Sequence, residues 1–162
     1  MSTGSEITPQ EAAGMIDALL GGATLADAAG VGKEALEAGY GLAHSLYGSG
    51  NFKDAETMFK ALCLYDNGDE RFWLGLAGCR QMNGDLAAAI DAYALAGVAG
   101  SLANPAPLVH GGLCWLKLGD KENAAALFRA ALDIGDKDNA EHAGYRARAQ
   151  AVLDLLDKGE LP

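Results

Sequence analysis

Apolar positions recur at helical spacing through most of this chain, and no alternating run of useful strand length appears, which predicts an all-α protein. Thr8-Pro9-Gln10-Glu11 carries the signals of a helix start, with Thr8 as cap, Pro9 at the first helical position and Glu11 reaching back. That helix is expected to run to about Leu20, with Met15, Ile16, Leu19 and Leu20 on one face, before Gly21-Gly22 stops it. Thr24-Leu25-Ala26-Asp27 opens a second, short helix that ends near Gly30. The apolar stripe of this unit needs a partner, either the first repeat or another copy of the chain, or both. Met15, Ile16, Leu19 and Leu20 are therefore the candidate dimerisation residues.

Beyond this unit the pattern repeats. Gly50, Gly84 and Gly119 are spaced 34 and then 35 residues apart. Nine residues after each stands an aromatic, Phe59, Tyr93 and Phe128; five after, Ala55, Ala89 and Ala124; seven before, Ala43, Ala77 and Gly112. A period of about 34 residues with this grammar is that of the tetratricopeptide repeat, a helical hairpin that stacks on its neighbours. The expected organisation is a flexible lead at 1–8, an N-terminal helical unit at 9–35, three repeats at 36–134, and a C-terminal capping helix and tail at 135–162. In the last segment Val152, Leu153, Leu155 and Leu156 can cover the third repeat, as a terminal cap should. The linker from Gly97 to Pro105 is longer than the one before it and accounts for the 35-residue step.

A hairpin of this kind cannot bury its apolar face alone, and a constant rotation between stacked hairpins makes a curved solenoid. In such repeats the first helices line the concave side. Their inward positions lie thirteen, ten, six and three residues before each turn glycine. They read Glu37, Arg71, Ala106; Tyr40, Leu74, Val109; His44, Gly78, Leu113; and Tyr47, Gln81, Leu116. A concavity this apolar on a chain with so charged a surface marks a site for a partner. From it we take Tyr40, His44, Tyr47, Arg71, Leu74, Gly78, Gln81, Val109 and Leu113 as candidate peptide-binding residues. Tyrosines combine area, rigidity and a polar tip, and Gly78 leaves a hole for a ligand side chain. Tyr40 and Tyr47 also suit the core of the first hairpin, His44 suits an ordinary helix position, and Arg71 suits a surface pair with Asp69 or Glu70. The acids Asp66, Asp69 and Glu70 read as a solvated loop.

Charge and composition narrow the function. Half of the residues are hydrophobic and the formal charge is −10. So acidic a surface repels phosphate and anionic lipid, which argues against nucleic acid and membrane as direct partners. The start of the chain has no basic segment and no apolar core of the secretory type. Cys63, Cys79 and Cys114 form no Cys-x-x-Cys pair and read as small buried thiols. His44, His110 and His142 are scattered, no nucleophile–base or metal-ligating spacing appears, and there is no phosphate-binding glycine loop. The expectation is a binding protein without cofactor or metal, not an enzyme.

The segments Thr24-Leu-Ala-Asp-Ala-Ala-Gly-Val31 and Glu34-Ala-Leu-Glu-Ala-Gly-Tyr40, then Ala55-Glu-Thr-Met-Phe59, and above all Arg71-Phe-Trp-Leu-Gly-Leu-Ala-Gly-Cys79-Arg-Gln81 followed by Ala89-Ile-Asp-Ala-Tyr93, resemble the class II chaperones of type III secretion. These are the translocator chaperones of the SycD/LcrH type, and the resemblance spans roughly residues 9–135. It implies a bacterial cytosolic chaperone that holds an extended Pro-x-Leu-x-x-Pro-like segment of a hydrophobic translocator in its concave groove. It also implies a homodimer through the N-terminal helices, and some such chaperones bind an AraC-type transcription activator as well. The alternative is a general tetratricopeptide adaptor, or a co-regulator of a transcription activator. An adaptor for acidic tails needs a cluster of basic residues in the groove. Here the inward positions offer Arg71, with Lys117 nearby and Glu37 opposing them.

Overall fold

A computed structural model describes residues 8–160, apart from the side chains of Met15 and Leu19. Among the described residues all regular structure is helical: α1 (Pro9–Leu20), α2 (Leu25–Ala29), α3 (Lys33–Gly48), α4 (Phe52–Tyr65), α5 (Glu70–Met82), α6 (Leu86–Ala99), α7 (Ala106–Lys117), α8 (Lys121–Asp133) and α9 (Ala140–Asp157). Helices α3 to α8 pack as three antiparallel hairpins, each against the next.

The turns explain the glycine punctuation. Gly50, Gly84 and Gly119 have φ of +81°, +86° and +83°, a left-handed conformation that is cheap only without a Cβ. There the backbone amide of the following residue returns to the first helix: Asn51 to Leu46, Asp85 to Arg80, Asp120 to Trp115. Asp85 and Asp120 then cap α6 and α8 by accepting from the amides of Ala88 and Asn123. Reciprocal capping boxes start the N-terminal helices, Thr8 with Glu11 and Thr24 with Asp27.

The core lies between hairpins. Ala43, Ala55, Ala77, Ala89 and Ala124 are fully buried, because a larger residue there would push the helix axes apart. Space between hairpins is filled by Phe59, Phe72 and Tyr93 in one cluster and by Val109, Phe128, Ala149 and Leu153 in a second, at the C-terminal end. Glycines allow the aromatic rings to come close to the backbone. A Cβ on Gly75 would come within 2.2 Å of the Phe59 ring, and one on Gly112 within 2.8 Å of the Phe128 ring. Truncating such a buried ring costs about 3–5 kcal/mol.

The two ends differ. Helix α9 packs on α8 and also on α7, closing the third repeat. Helix α1 packs on α2, and α2 touches α4. Ile16 and Leu20 are 57% and 82% exposed, so the face that carries them is not covered by the repeats. Of the proposed lead at 1–8, residues 1–7 lie outside the described residues, as do the side chains of Met15 and Leu19.

Candidate peptide-binding groove

The concave side holds a cavity of about 320 Å³. Helix α3 contributes Tyr40, His44 and Tyr47, one face of three successive turns. Helix α5 contributes Arg71, Leu74, Gly75 and Gly78. Beneath them, Phe59 and Tyr93 of the second helices form the floor, buried and yet bordering the space. Burial raises the Tyr47 and Tyr93 hydroxyls above the usual phenol value. Both stay neutral and present a polar tip on an apolar wall. A Cβ on Gly78 would stand 3.4 Å from the Tyr47 ring, so a large side chain at that position would occupy the cavity itself.

Arg71 is not a free cation. Its guanidinium contacts Glu37 and Asp69, each at 2.6 Å, and lies 4.9 Å over the centre of the Tyr40 ring. Glu37 and Arg71 occupy the same repeat position, so the pair ties copy one to copy two across the rim. Hydrogen bonding from Arg71 holds the Glu37 carboxyl below its ordinary range. Burial pushes Asp69 up, but the hydrogen bonds from Arg71 outweigh it and the net direction is down. With two carboxylates on its guanidinium, Arg71 is not ready to clamp a client's carboxylate.

The third repeat departs from the inward register. Val109, expected in the groove, is fully buried and belongs to the C-terminal core. Leu113 and Leu116 pack against the same core. The cause is α9, which lies against α7 and takes the face that α3 and α5 leave open. Gln81 does not border the cavity; its Oε1 accepts a 2.8 Å hydrogen bond from the Tyr93 hydroxyl. Gly78, Leu74, Arg71, Tyr47, His44 and Tyr40 do border it.

Sequence reading missed the residues that close the far end: Asn104 of the linker, His110 of α7, and Glu141 and Tyr145 of α9. His110 stands nine residues before its turn glycine, the position of Gly75 in copy two, and that equivalence was a usable signal. The α9 residues carry no repeat signal. The His110 ring stacks on Tyr93 at 5.5 Å and meets Tyr145 edge-on at 5.6 Å. Burial pushes the His110 imidazole below its ordinary value, and the Arg148 charge adds to this. Glu70, expected in a solvated loop, has its Oε1 buried without a hydrogen bond, and burial raises its carboxyl. The thiols of Cys63 and Cys79 are pushed up to about 12 and about 11 by burial, so neither is a nucleophile near neutral pH.

Among the described residues no group of histidines, cysteines and acids could hold a metal ion, and no helix is long and apolar enough to cross a membrane. The arrangement can bind an extended, largely apolar segment along an aromatic-lined trough.

A tetratricopeptide repeat family model matches residues 40–103. The chain is 36% identical over 139 residues to low calcium response locus protein H of Yersinia pestis, covering 85% of this chain and 81% of that protein. A T3SS complex from Aeromonas hydrophila superposes with a TM-score of 0.84 at 33% identity, covering 91% of this chain and 97% of that one. The type III secretion chaperone SycD of Yersinia enterocolitica, in complex with a peptide of the translocator YopD, superposes with a TM-score of 0.74 at 30% identity, covering 80% of this chain and 98% of that one.

Proposed function

Because the chain belongs to the SycD/LcrH-type family of type III secretion translocator chaperones, we propose that it binds hydrophobic translocator proteins through the concave groove and keeps them soluble and apart before export. The observation that carries this is the apolar cavity between α3 and α5, floored by Phe59 and Tyr93, with Arg71 at its rim already paired to Glu37 and Asp69. An extended Pro-x-Leu-x-x-Pro-like segment suits such a trough. It is stiff before binding and loses little entropy, while its apolar side chains enter the space beside Gly78. The client's later membrane segments stay out of water only if something else covers them, and that is the work of a chaperone rather than of a catalyst. The setting is the bacterial cytoplasm. The binding residues are Tyr40, His44, Tyr47, Leu74 and Gly78, with Arg71 shaping the rim.

The test is titration of a labelled Pro-x-Leu-x-x-Pro peptide into wild type, Tyr47→Ala and Gly78→Trp. Each variant should bind at least about tenfold more weakly while keeping its helical spectrum and melting cooperatively. Full binding by both folded variants would end the groove assignment.

The N-terminal helices are the proposed dimer contact. The support is the exposed face carrying Ile16 and Leu20 on α1. Removing residues 1–20 should halve the mass in sedimentation, and an unchanged mass would take α1 out of the interface.

A further inference from the structure

The outer faces of the second helices allow an internal comparison. In α4 the exposed positions three, seven, ten and fourteen residues after the turn glycine are Lys53, Thr57, Lys60 and Leu64. In α8 they are Glu122, Ala126, Arg129 and Asp133. In α6 they are Ala87, Asp91, Ala94 and Val98. The same four positions, exposed in all three copies, are mainly polar in two and almost uncharged in the middle one. A helix apolar all round is normally buried; α6 carries one charged residue, Asp91, and yet leaves a face in solvent.

Two further features adjoin that face. Val98 is 72% exposed, Leu95 44% and Leu102 51%. Leu102 is presented there by a left-handed backbone, φ +56°, directly after Ser101 at +55°, a conformation unfavourable for a branched side chain. Beside Ala94 opens a slot of about 220 Å³ whose walls include Ile90, Pro107, Leu108, Trp115 and Leu127. It is the size of one large apolar side chain. The outside of repeat two therefore offers an exposed apolar stripe, an adjoining slot and one carboxylate. Asp91 has no hydrogen-bond or ion-pair partner among the described residues.

We infer that the outer face of α6 is a second docking surface, distinct from the groove, that holds an apolar helix carrying a single basic residue opposite Asp91. A second copy of this chain fits badly. An interface between identical stripes is self-complementary; Asp91 lies near the middle of the stripe, so the two carboxylates would meet near the twofold axis, between chains of charge −10 each. A client destined for a membrane supplies a helix of the right kind. The inference rests on the chaperone reading for that source only. An extended segment in the groove leaves such a helix uncovered, and the stripe on α6 would shield one side of it.

The test uses two labelled probes on the full chain: a Leu/Ala-rich helical peptide of about 20 residues, the length of a membrane-crossing helix, with one central lysine, and an extended Pro-x-Leu-x-x-Pro peptide that reports the groove. The variant is Ala94→Lys with Val98→Asp, charges that copies one and three carry at these places in Lys60 and Asp133, so the fold accommodates them. The helical probe should bind wild type saturably and the variant at least about tenfold more weakly, a loss of about 1.4 kcal/mol, with groove binding within about twofold. Asp91→Lys should weaken the lysine probe and favour one with glutamate in its place. Equal binding of the helical probe to wild type and variant, or no saturable binding to wild type, overturns the inference. So does a drop in sedimentation mass on substitution, which would assign the face to a second copy. Failure of the extended probe to bind wild type would instead remove the groove reading and leave this one standing.

Discussion

Ten residues before the turn glycine stand Tyr40 in copy one, Leu74 in copy two and Val109 in copy three. The first two border the cavity, and the third is wholly buried. The sequence motif is the same; the neighbour is not. Copies one and two leave their first-helix faces to solvent on the concave side, while copy three meets α9 there. A repeat position therefore has no fixed role of its own. It becomes groove or core according to whether another helix lies against it, and the capping helix thereby decides how long the groove is.

The sharpest way to break this contrast is a charge at the shared position. Val109→Asp should cost at least about 4 kcal/mol, because an isolated carboxylate has nothing to pair with in the C-terminal core. Leu74→Asp should cost about 1–2 kcal/mol and chiefly abolish peptide binding. Urea unfolding of both variants at neutral pH checks the ranking; equal costs would mean that α9 does not distinguish the copies. A smaller effect is expected at the wall that α9 builds. Tyr145→Ala should weaken a groove peptide about three- to tenfold with little change in unfolding midpoint. If affinity is untouched, α9 is a cap and no part of the site.

The smallest effect is a pH dependence confined to the third-repeat end. His110 is held neutral by burial, so the unfolded chain binds a proton more readily than the folded one. Stability should fall as pH drops from the ordinary histidine value of about 6.5 toward the depressed value in the fold, and be full above that window. His110→Phe keeps an aromatic between Tyr93 and Tyr145 and should flatten that part of the profile. Identical melts of the two proteins against pH, from 7.5 to 5.5, would remove His110 as its source.

The same contrast explains what was legible in advance. The repeats were, because turn glycines with positive φ, buried alanines and interlocking rings leave a periodic mark that needs no knowledge of neighbours. The face that α3 and α5 present was legible for the same reason. The role of the inward face of repeat three was not, because helix α9 has no repeat of its own to set its register, and nothing in the run from Ala140 to Asp157 says which side of α7 it will cover. Glu141 and Tyr145 could not be placed without it. Arg71 was legible as a charge at the rim but not as a spent one, since Glu37 is 34 residues away and only the stacking of two hairpins brings it within reach.

Each hairpin in this molecule rests mainly on the one before and the one after, and the contacts that skip a helix, α2 with α4, α3 with α5 and α7 with α9, are few. A pull on the N-terminus is then borne by one interface at a time rather than by the whole body. The groove is built from α3 and α5, close to that end, with its far wall anchored at the other. Traction from the N-terminal side would peel the groove open before the third repeat felt any load, and a held segment would be let go while most of the chaperone remained folded and able to close again.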